Sequence, residues 1–175
     1  MSLHLIIDGY NLLFSTGMVE GTGPLEGLRR ELLQTLERYQ AARGHRLTVV
    51  FDGARDEPAS TETSHAEHLR VVFSEPGETA DEAIQQRVAD APTETIVVTS
   101  DRSLQRSASR SGVVVVSVET FASKVRQALS PSPEEVEDDE LDELDEEPSL
   151  STRKRGNPRR ARRRDRRWST WLKKL

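Results

Sequence analysis

Four acidic side chains follow short hydrophobic segments of this chain, each at or just after the carboxyl end of its segment. The four acids are Asp8, Asp52, Asp81 and Asp101. If the segments are neighbouring parallel strands, their carboxyl ends meet at one edge of a sheet, where open α/β proteins usually keep their sites. Carboxylates gathered at such an edge repel one another unless protons or cations neutralise them. The pattern therefore predicts a site for a divalent metal, Mg²⁺ or Mn²⁺.

Each acid also has an ordinary structural interpretation. Asp8-Gly9 and Asp52-Gly53 are common turn dipeptides. The segment Thr79-Ala80-Asp81-Glu82 has the form of a helix capping box, in which Asp81 only adds favourable charge to the first turn. Ser100 can cap a helix that begins near Asp101. The coincidence of all four acids at one predicted edge, rather than any acid alone, favours a metal site.

Neighbouring residues add to this hypothesis, and absent motifs narrow it. Asn11 lies three residues after Asp8 and could reach the same pocket if Gly9-Tyr10 turns the chain; alternatively, it caps a following turn. The chain has no cysteine, which excludes disulfides and thiolate sites. It has neither G-x-x-x-x-G-K-[ST] nor G-x-G-x-x-G, so ordinary nucleotide-cofactor binding has no support.

The elements that must position these residues alternate between apolar strands and amphipathic helices. Strands are predicted over 3–7, 47–51, 69–73, 95–99 and 113–118. Helices are predicted from the apolar face between Leu25 and Tyr39, with Gly44 as the stop signal, and over 80–90, 102–111 and 119–129. The polar stretch 54–68 is predicted to be a functional loop. Continuously apolar strands that alternate with helices predict an α/β fold with about five mostly parallel strands flanked by helices.

Charge divides the chain into three regions. Residues 1–133 carry 13 Lys/Arg and 18 Asp/Glu, residues 134–147 carry 11 acidic and no basic residues, and residues 148–175 carry 12 basic residues and one acidic residue. We expect a folded domain over 1–129, a disordered Pro/Ser and acidic linker over 130–152, and an Arg-rich tail over 153–175 that is disordered or becomes helical on binding. The chain shows no secretory signal and no long apolar run, which predicts a cytoplasmic protein without a membrane partner.

The motifs around the four acids, taken in order, resemble the YacP-like NYN family. They are Leu5-Ile6-Ile7-Asp8-Gly9-Tyr10-Asn11-Leu12, Val49-Val50-Phe51-Asp52-Gly53, Glu78-Thr79-Ala80-Asp81-Glu82 and Thr99-Ser100-Asp101. The resemblance covers nearly all of residues 1–129 and implies a PIN-like fold and a ribosome-associated endoribonuclease acting on messenger RNA. By position, it marks Asp8, Asp81 and Asp101 as metal-binding acids and Asn11 as support for the first of them. It also marks Asp52 and Glu82 as acidic neighbours that could bind metal through water.

The resulting hypothesis is metal-assisted phosphodiester hydrolysis that leaves 5′-phosphate and 3′-hydroxyl ends. Thr99 and Ser100 could donate hydrogen bonds to a nearby phosphate, although Ser100 is equally suited to a capping role. The alternative of a different class is a non-catalytic RNA- or ribosome-binding module, in which the acids only cap helices and turns.

The Arg-rich tail is the predicted source of attraction for RNA, because an acidic edge repels a polyanion. Trp168 and Trp171 could stack on bases or pack into a protein groove. The alternative for this segment is a solvated tail held by the acidic run 134–147. The arginines expected to bind substrate are Arg159, Arg160, Arg162, Arg163 and Arg164.

Overall fold

A computed structural model of the protein describes residues 2–19, 23–53, 63–91, 94–130, 171 and 174–175. Its strands are β1 (His4–Asp8), β2 (Arg46–Phe51), β3 (Thr63–Ala66), β4 (Leu69–Phe73), β5 (Thr95–Val98) and β6 (Val114–Val116). Its helices are α1 (Gly9–Ser15), α2 (Leu25–Arg43), α3 (Ala80–Ala89), α4 (Arg102–Arg110) and α5 (Val118–Leu129). Within these ranges, no helix combines the length and the apolar character that crossing a membrane requires.

The strands form one six-stranded sheet in the order β3-β4-β2-β1-β5-β6. The five strands β4, β2, β1, β5 and β6 run parallel to one another. Only β3, at the edge of the sheet, pairs antiparallel with its neighbour β4. This confirms the expected α/β fold with about five mostly parallel strands flanked by helices. Strands are added on one side of β1 until β4, and the chain then returns to place β5 on the other side. The β1/β5 boundary is therefore the switch point of the sheet.

Alternating side chains of the strands fill two separate hydrophobic layers. Leu5 and Ile7 of β1 point to one face of the sheet, where they pack with α1, α2 and α5. Ile6 points to the opposite face, where α3 and α4 cover it. Because both faces are covered, the strands are apolar throughout, as expected for parallel strands.

Two elements of the structure were not predicted. The Asp8-Gly9 dipeptide does not form a turn but begins α1, because the Asp8 side chain caps the helix and Leu12 and Leu13 are buried along it. The predicted loop 54–68 contains β3, whose polar sequence lacks the alternation of a half-buried strand and which pairs with β4 through backbone hydrogen bonds. Residues 54–62 of that loop lie outside the described ranges.

Gly9 is the first residue of α1 and lies against the ring of Phe51. A Cβ at position 9 would overlap that ring, and Phe51 is fully buried and has little room to move. We expect Gly9→Ala to lower the free energy of unfolding by about 2 kcal/mol. At Gly23, by contrast, a Cβ meets no atom, so Gly23→Ala should change this free energy by less than about 1 kcal/mol. Urea denaturation of both variants checks the prediction, and equal effects would contradict it.

The described end of the tail packs into the core beside α2. Trp171 is 8% exposed and Leu175 is 1% exposed. The amide of Leu175 donates to the carbonyl of Trp171, one helical turn earlier, at 3.2 Å. The Tyr39 hydroxyl donates to the Leu175 carbonyl at 3.1 Å, and Nε2 of His45 donates to the Lys174 carbonyl at 3.0 Å. Trp171 is therefore a core residue, which agrees with packing against protein and not with stacking on bases, the two alternatives that the sequence left open.

The other tail residues singled out in the sequence lie outside the described ranges. They are Trp168, Arg159, Arg160, Arg162, Arg163 and Arg164.

Candidate functional site

Four acids lie where the central strands end, and we refer to Asp8, Asp52, Asp81 and Asp101 as the carboxylate edge. Asp8 is the last residue of β1, Asp52 follows β2, and Asp101 follows β5, so three of the acids leave adjacent strands. Asp81 lies in the first turn of α3. Their charges act on one another: Asp81 and Asp52 contribute to a raised pKa of Asp8, and Asp101 and Asp52 contribute to a raised pKa of Asp81.

Asp8 is held from two sides. Its Oδ1 accepts a hydrogen bond from the amide of Asn11 at 3.1 Å, and its Oδ2 accepts one from the Thr99 hydroxyl at 3.1 Å. Burial raises the pKa of Asp8 to about 6; the two hydrogen bonds oppose this rise, and the nearby acids add to it. Asp8 thus has a fixed orientation and an ionised form that is costly without a cation.

Thr99 connects two acids of the carboxylate edge. Its hydroxyl donates to Asp8 and accepts from the amide of Asp101 at 3.1 Å. Thr99 is fully buried. Its hydroxyl is therefore already engaged and shielded from solvent, which does not fit the expectation that it donates a hydrogen bond to phosphate.

The sequence suggested Ser100 as the cap of α4, but the structure shows that Asp101 caps this helix. Oδ1 of Asp101 accepts from the amide of Leu104 at 2.8 Å. The Ser100 hydroxyl instead accepts from the amide of Val118 at 3.2 Å and donates to Glu119 at 2.8 Å. These bonds occupy the hydroxyl that was expected to contact phosphate.

Asn11 reaches the carboxylate edge from the first turn of α1. Its Oδ1 accepts a hydrogen bond from the amide of Ser100 at 3.2 Å, which joins α1 to the loop after β5. The side chain therefore does not cap a following turn. Its side-chain nitrogen has no hydrogen-bond acceptor among the described residues.

The remaining acids surround the start of α3. Oδ1 of Asp52 accepts from the amide of Ala80 and so ties the end of β2 to this helix. Glu82 closes the predicted capping box by accepting from the amide of Thr79 at 2.9 Å and from its hydroxyl at 3.1 Å. These hydrogen bonds lower the pKa of Glu82. Glu82 therefore has a structural partner of its own.

Asp81 differs from the other acids, because helix capping does not explain it. It is half-buried, and none of the described residues donates a hydrogen bond to its carboxylate. Burial raises the pKa of Asp81, and the charges of Asp101, Asp52 and Glu82 raise it further. Among the described residues, its carboxylate is compensated only by the positive end of the α3 dipole, whose first turn it occupies.

The donor set of the carboxylate edge fits a hard divalent cation. Within the described parts of the chain, no three Asp, Glu or His side chains lie close enough to form a preassembled metal site. Each ionised carboxylate accepts about four hydrogen bonds or metal bonds, however, so Asp8 and Asp101 keep acceptor capacity beyond their helix caps. Mg²⁺ usually binds through one or two carboxylates and keeps several waters. A small all-oxygen set with mutual repulsion is suited to that mode.

Sequence reasoning missed a cation that contacts the segment following Asp8 in the described structure. Nη1 of Arg29 donates to the Tyr10 hydroxyl at 3.1 Å, and its guanidinium lies 5.3 Å from the centre of the Phe73 ring. Arg29 belongs to α2 and is far from the acidic motifs in sequence, so only the packing of α2 against α1 reveals it. Tyr10, between Asp8 and Asn11, was a signal that this segment is aromatic as well as acidic.

The fold and the carboxylate edge together define a parallel α/β domain with an acidic candidate site at the switch point of its sheet. The chain belongs to the YacP-like NYN domain family, whose model matches residues 5–163. Membership in this family implies a nuclease-like fold.

Individual relatives agree with this assignment. The chain is 32% identical to the YacP protein of Bacillus subtilis (strain 168) over 103 residues, which are 55% of this chain and 59% of that protein. The matched part thus spans about three fifths of the relative. The crystal structure of Rae1 (YacP) from Bacillus subtilis has a TM-score of 0.57 at 28% identity, covering 73% of this chain and 75% of that one. The crystal structure of a mutant form of the same protein has a TM-score of 0.59 at 27% identity, with coverages of 71% and 75%.

Proposed function

We propose that the protein is a divalent-metal-dependent endoribonuclease that hydrolyses RNA phosphodiester bonds. The observation that carries the proposal is Asp81, a half-buried carboxylate without a hydrogen-bond donor among the described residues and under the repulsion of neighbouring acids. Carboxylates whose pKa is raised by burial and by neighbouring acids are found at functional sites more often than elsewhere. The nuclease-like fold of the family supports the same conclusion.

The proposed roles follow from the contacts of each residue. Asp8, Asp81 and Asp101 would hold Mg²⁺ or Mn²⁺, which supplies Lewis-acid stabilisation of the charge that develops on the phosphate. Thr99 holds Asp8 and Asp101 in fixed positions relative to each other. Asp52 fixes the start of α3 and hence the position of Asp81. Asn11 is oriented by Ser100 and would donate to an oxygen of the substrate through its amide nitrogen. Glu82 contributes negative charge from the capping box.

The proposed substrate is cytoplasmic messenger RNA, engaged on or near the ribosome. The carboxylate edge repels RNA, so binding requires cations elsewhere in the chain. The sequence supplies them in the tail, including Arg159, Arg160, Arg162, Arg163 and Arg164, and contacts of this kind weaken steeply with salt.

A second candidate function is a non-catalytic RNA- or ribosome-binding module. It is favoured by the structural duties of three acids: Asp8 caps α1, Asp101 caps α4, and Asp52 binds the amide of Ala80. It gives Asp81 only the weak role of a favourable charge in the first turn of α3. The two candidates therefore differ in what they require of a single side chain.

Cleavage of labelled RNA by the purified protein tests the proposal. We expect cleavage in Mg²⁺ or Mn²⁺ that stops in EDTA and leaves 5′-phosphate and 3′-hydroxyl ends. Asp81→Asn should lose this activity, and Glu78→Gln, which changes a nearby acid just before α3, should keep it. Cleavage that persists in EDTA would contradict the metal mechanism. Absence of cleavage on both free RNA and translating ribosomes would favour the binding module.

A further inference from the structure

An aromatic side chain of α1 is exposed beside the carboxylate edge. Phe14 is 67% exposed and, with Leu25, is one of two large hydrophobic residues on the surface of the described structure. Its ring stacks on that of Tyr10, one helical turn earlier, with ring centroids 5.9 Å apart and an interplanar angle of 18°. The outer face of Phe14 is thus open to solvent, while Tyr10 supports its inner face.

The two rings continue inward as an aromatic series made of Phe14, Tyr10, Phe51 and Phe73. Tyr10 meets Phe51 edge-on at 5.0 Å, and Phe51 stacks on Phe73 at 5.8 Å and 27°. Phe51 is fully buried. The exposed ring is therefore the outer end of a series that is anchored in the core.

The aromatic series runs next to the carboxylate edge because both leave the same strands. Tyr10 is two residues after Asp8, and Phe51 directly precedes Asp52. At a rise of about 1.5 Å per residue, Phe14 lies roughly 9 Å along α1 from Asp8. Stacked nucleotides of one strand repeat about every 3.4 Å, so this distance corresponds to roughly two or three nucleotides.

Arg29 adds positive charge to the same surface. It donates to the Tyr10 hydroxyl at 3.1 Å and lies over the Phe73 ring. It thereby fixes the ring that supports Phe14 and favours an anionic backbone beside an otherwise acidic site. A ligand suited to this surface has flat aromatic bases and a negatively charged backbone. Its phosphodiester bond must also be able to approach the carboxylate edge.

We propose that Phe14, stacked on Tyr10, is a base-stacking platform that holds single-stranded RNA against the carboxylate edge. The inference rests on the proposed nuclease function and names its substrate class. Unpaired bases can stack on an exposed aromatic ring whatever their sequence, whereas the bases of a duplex are already stacked on one another. Single strands are therefore preferred over duplexes at this site.

Binding measured in EDTA separates this platform from cleavage. With a fluorescently labelled unstructured oligoribonucleotide, Phe14→Ala should weaken binding about 10-fold, and Phe14→Leu, which keeps apolar contact without a π-face, should weaken it similarly. Phe14→Trp should retain the affinity. Leu25→Ala, an exposed apolar control, should leave it unchanged. A duplex of the same sequence should bind all these variants equally.

The outcomes distinguish the platform from the catalytic proposal. Wild-type affinity in Phe14→Ala, full affinity in Phe14→Leu, or no measurable binding of single strands at low salt would overturn the platform. The first two results point instead to a protein partner or a plain apolar contact at Phe14. If Phe14→Ala weakens binding while the wild type cleaves nothing in Mg²⁺ or Mn²⁺, the platform stands and the endoribonuclease proposal fails. Equal melting temperatures of all variants establish that the changes act on binding.

Discussion

Replacing Asp8 by asparagine is expected to abolish metal-dependent RNA cleavage, with kcat/KM falling at least about 100-fold. Asp8 is the acid that Asn11 and Thr99 fix in place, and its ionised form is costly without a cation. Asparagine keeps the shape of the side chain but removes the charge that would attract Mg²⁺. Initial rates on a labelled oligoribonucleotide measure the effect.

Asp90→Asn is the matched control for this substitution. Asp90 is an exposed acid at the C-cap of α3, at the end of the helix opposite to Asp81. The Asp90→Asn substitution removes the same charge without changing the carboxylate edge. This variant should therefore cleave RNA at the wild-type rate. Similar losses in both variants would mean that net charge, and not a metal site, governs the activity.

The Asp8→Asn variant should also be more stable than the wild type in EDTA above pH 6. The pKa of Asp8 is raised from 3.8 to about 6 in the folded protein, so the folded state holds its proton more firmly than the unfolded state. The wild type therefore loses stability as the pH rises from about 4 to above 6, by on the order of 2 to 3 kcal/mol. Asparagine does not titrate and can still accept from the amide of Asn11.

Urea denaturation at pH 4 and pH 8 tests this second effect. We expect the two proteins to converge at low pH and the variant to be the more stable one at pH 8. A variant that loses both activity and stability at pH 8 would mean that the cap of α1 is the main role of Asp8, as the binding-module alternative requires.

Replacing Leu175 by alanine is expected to lower the free energy of unfolding by about 3 kcal/mol. Leu175 is 1% exposed in the core, and its carbonyl accepts from the Tyr39 hydroxyl. Leu25→Ala is the same chemical change at a residue that is 42% exposed and should cost less than about 1 kcal/mol. Urea denaturation compares the two variants, and equal costs would contradict docking of the C-terminal residues in the core.

Much of the fold could be predicted because its strands are strongly apolar and because helix-capping residues, such as those of the capping box before α3, can be identified in the sequence. The runs that became β1, β2 and β5 have no other reasonable environment than a buried parallel sheet. The element β3 could not be predicted in this way, since its sequence lacks the apolar alternation of a strand and its pairing with β4 is made by the backbone. Docking of Trp171 was equally inaccessible, because a helical apolar spacing does not identify the surface that it covers.

The candidate site was predictable in its location but not in its internal contacts. Acids that follow apolar strands must lie near one another once the strands are parallel neighbours, and Asp8 and Asp101 follow strands that pair directly. Which atoms engage one another depends on backbone direction after each strand. The sequence therefore suggested Thr99 as a ligand for phosphate, whereas the structure places its hydroxyl between Asp8 and Asp101.

Docking of Trp171 and Leu175 also changes how the Arg-rich run is connected to the domain. Helix α5 ends at Leu129 on one side of this run, and Trp171 lies in the same hydrophobic layer on the other. The chain between them is therefore connected to the same domain at both of its ends. Under the proposed function, RNA bound by the arginines would thereby be held close to the carboxylate edge of the same molecule.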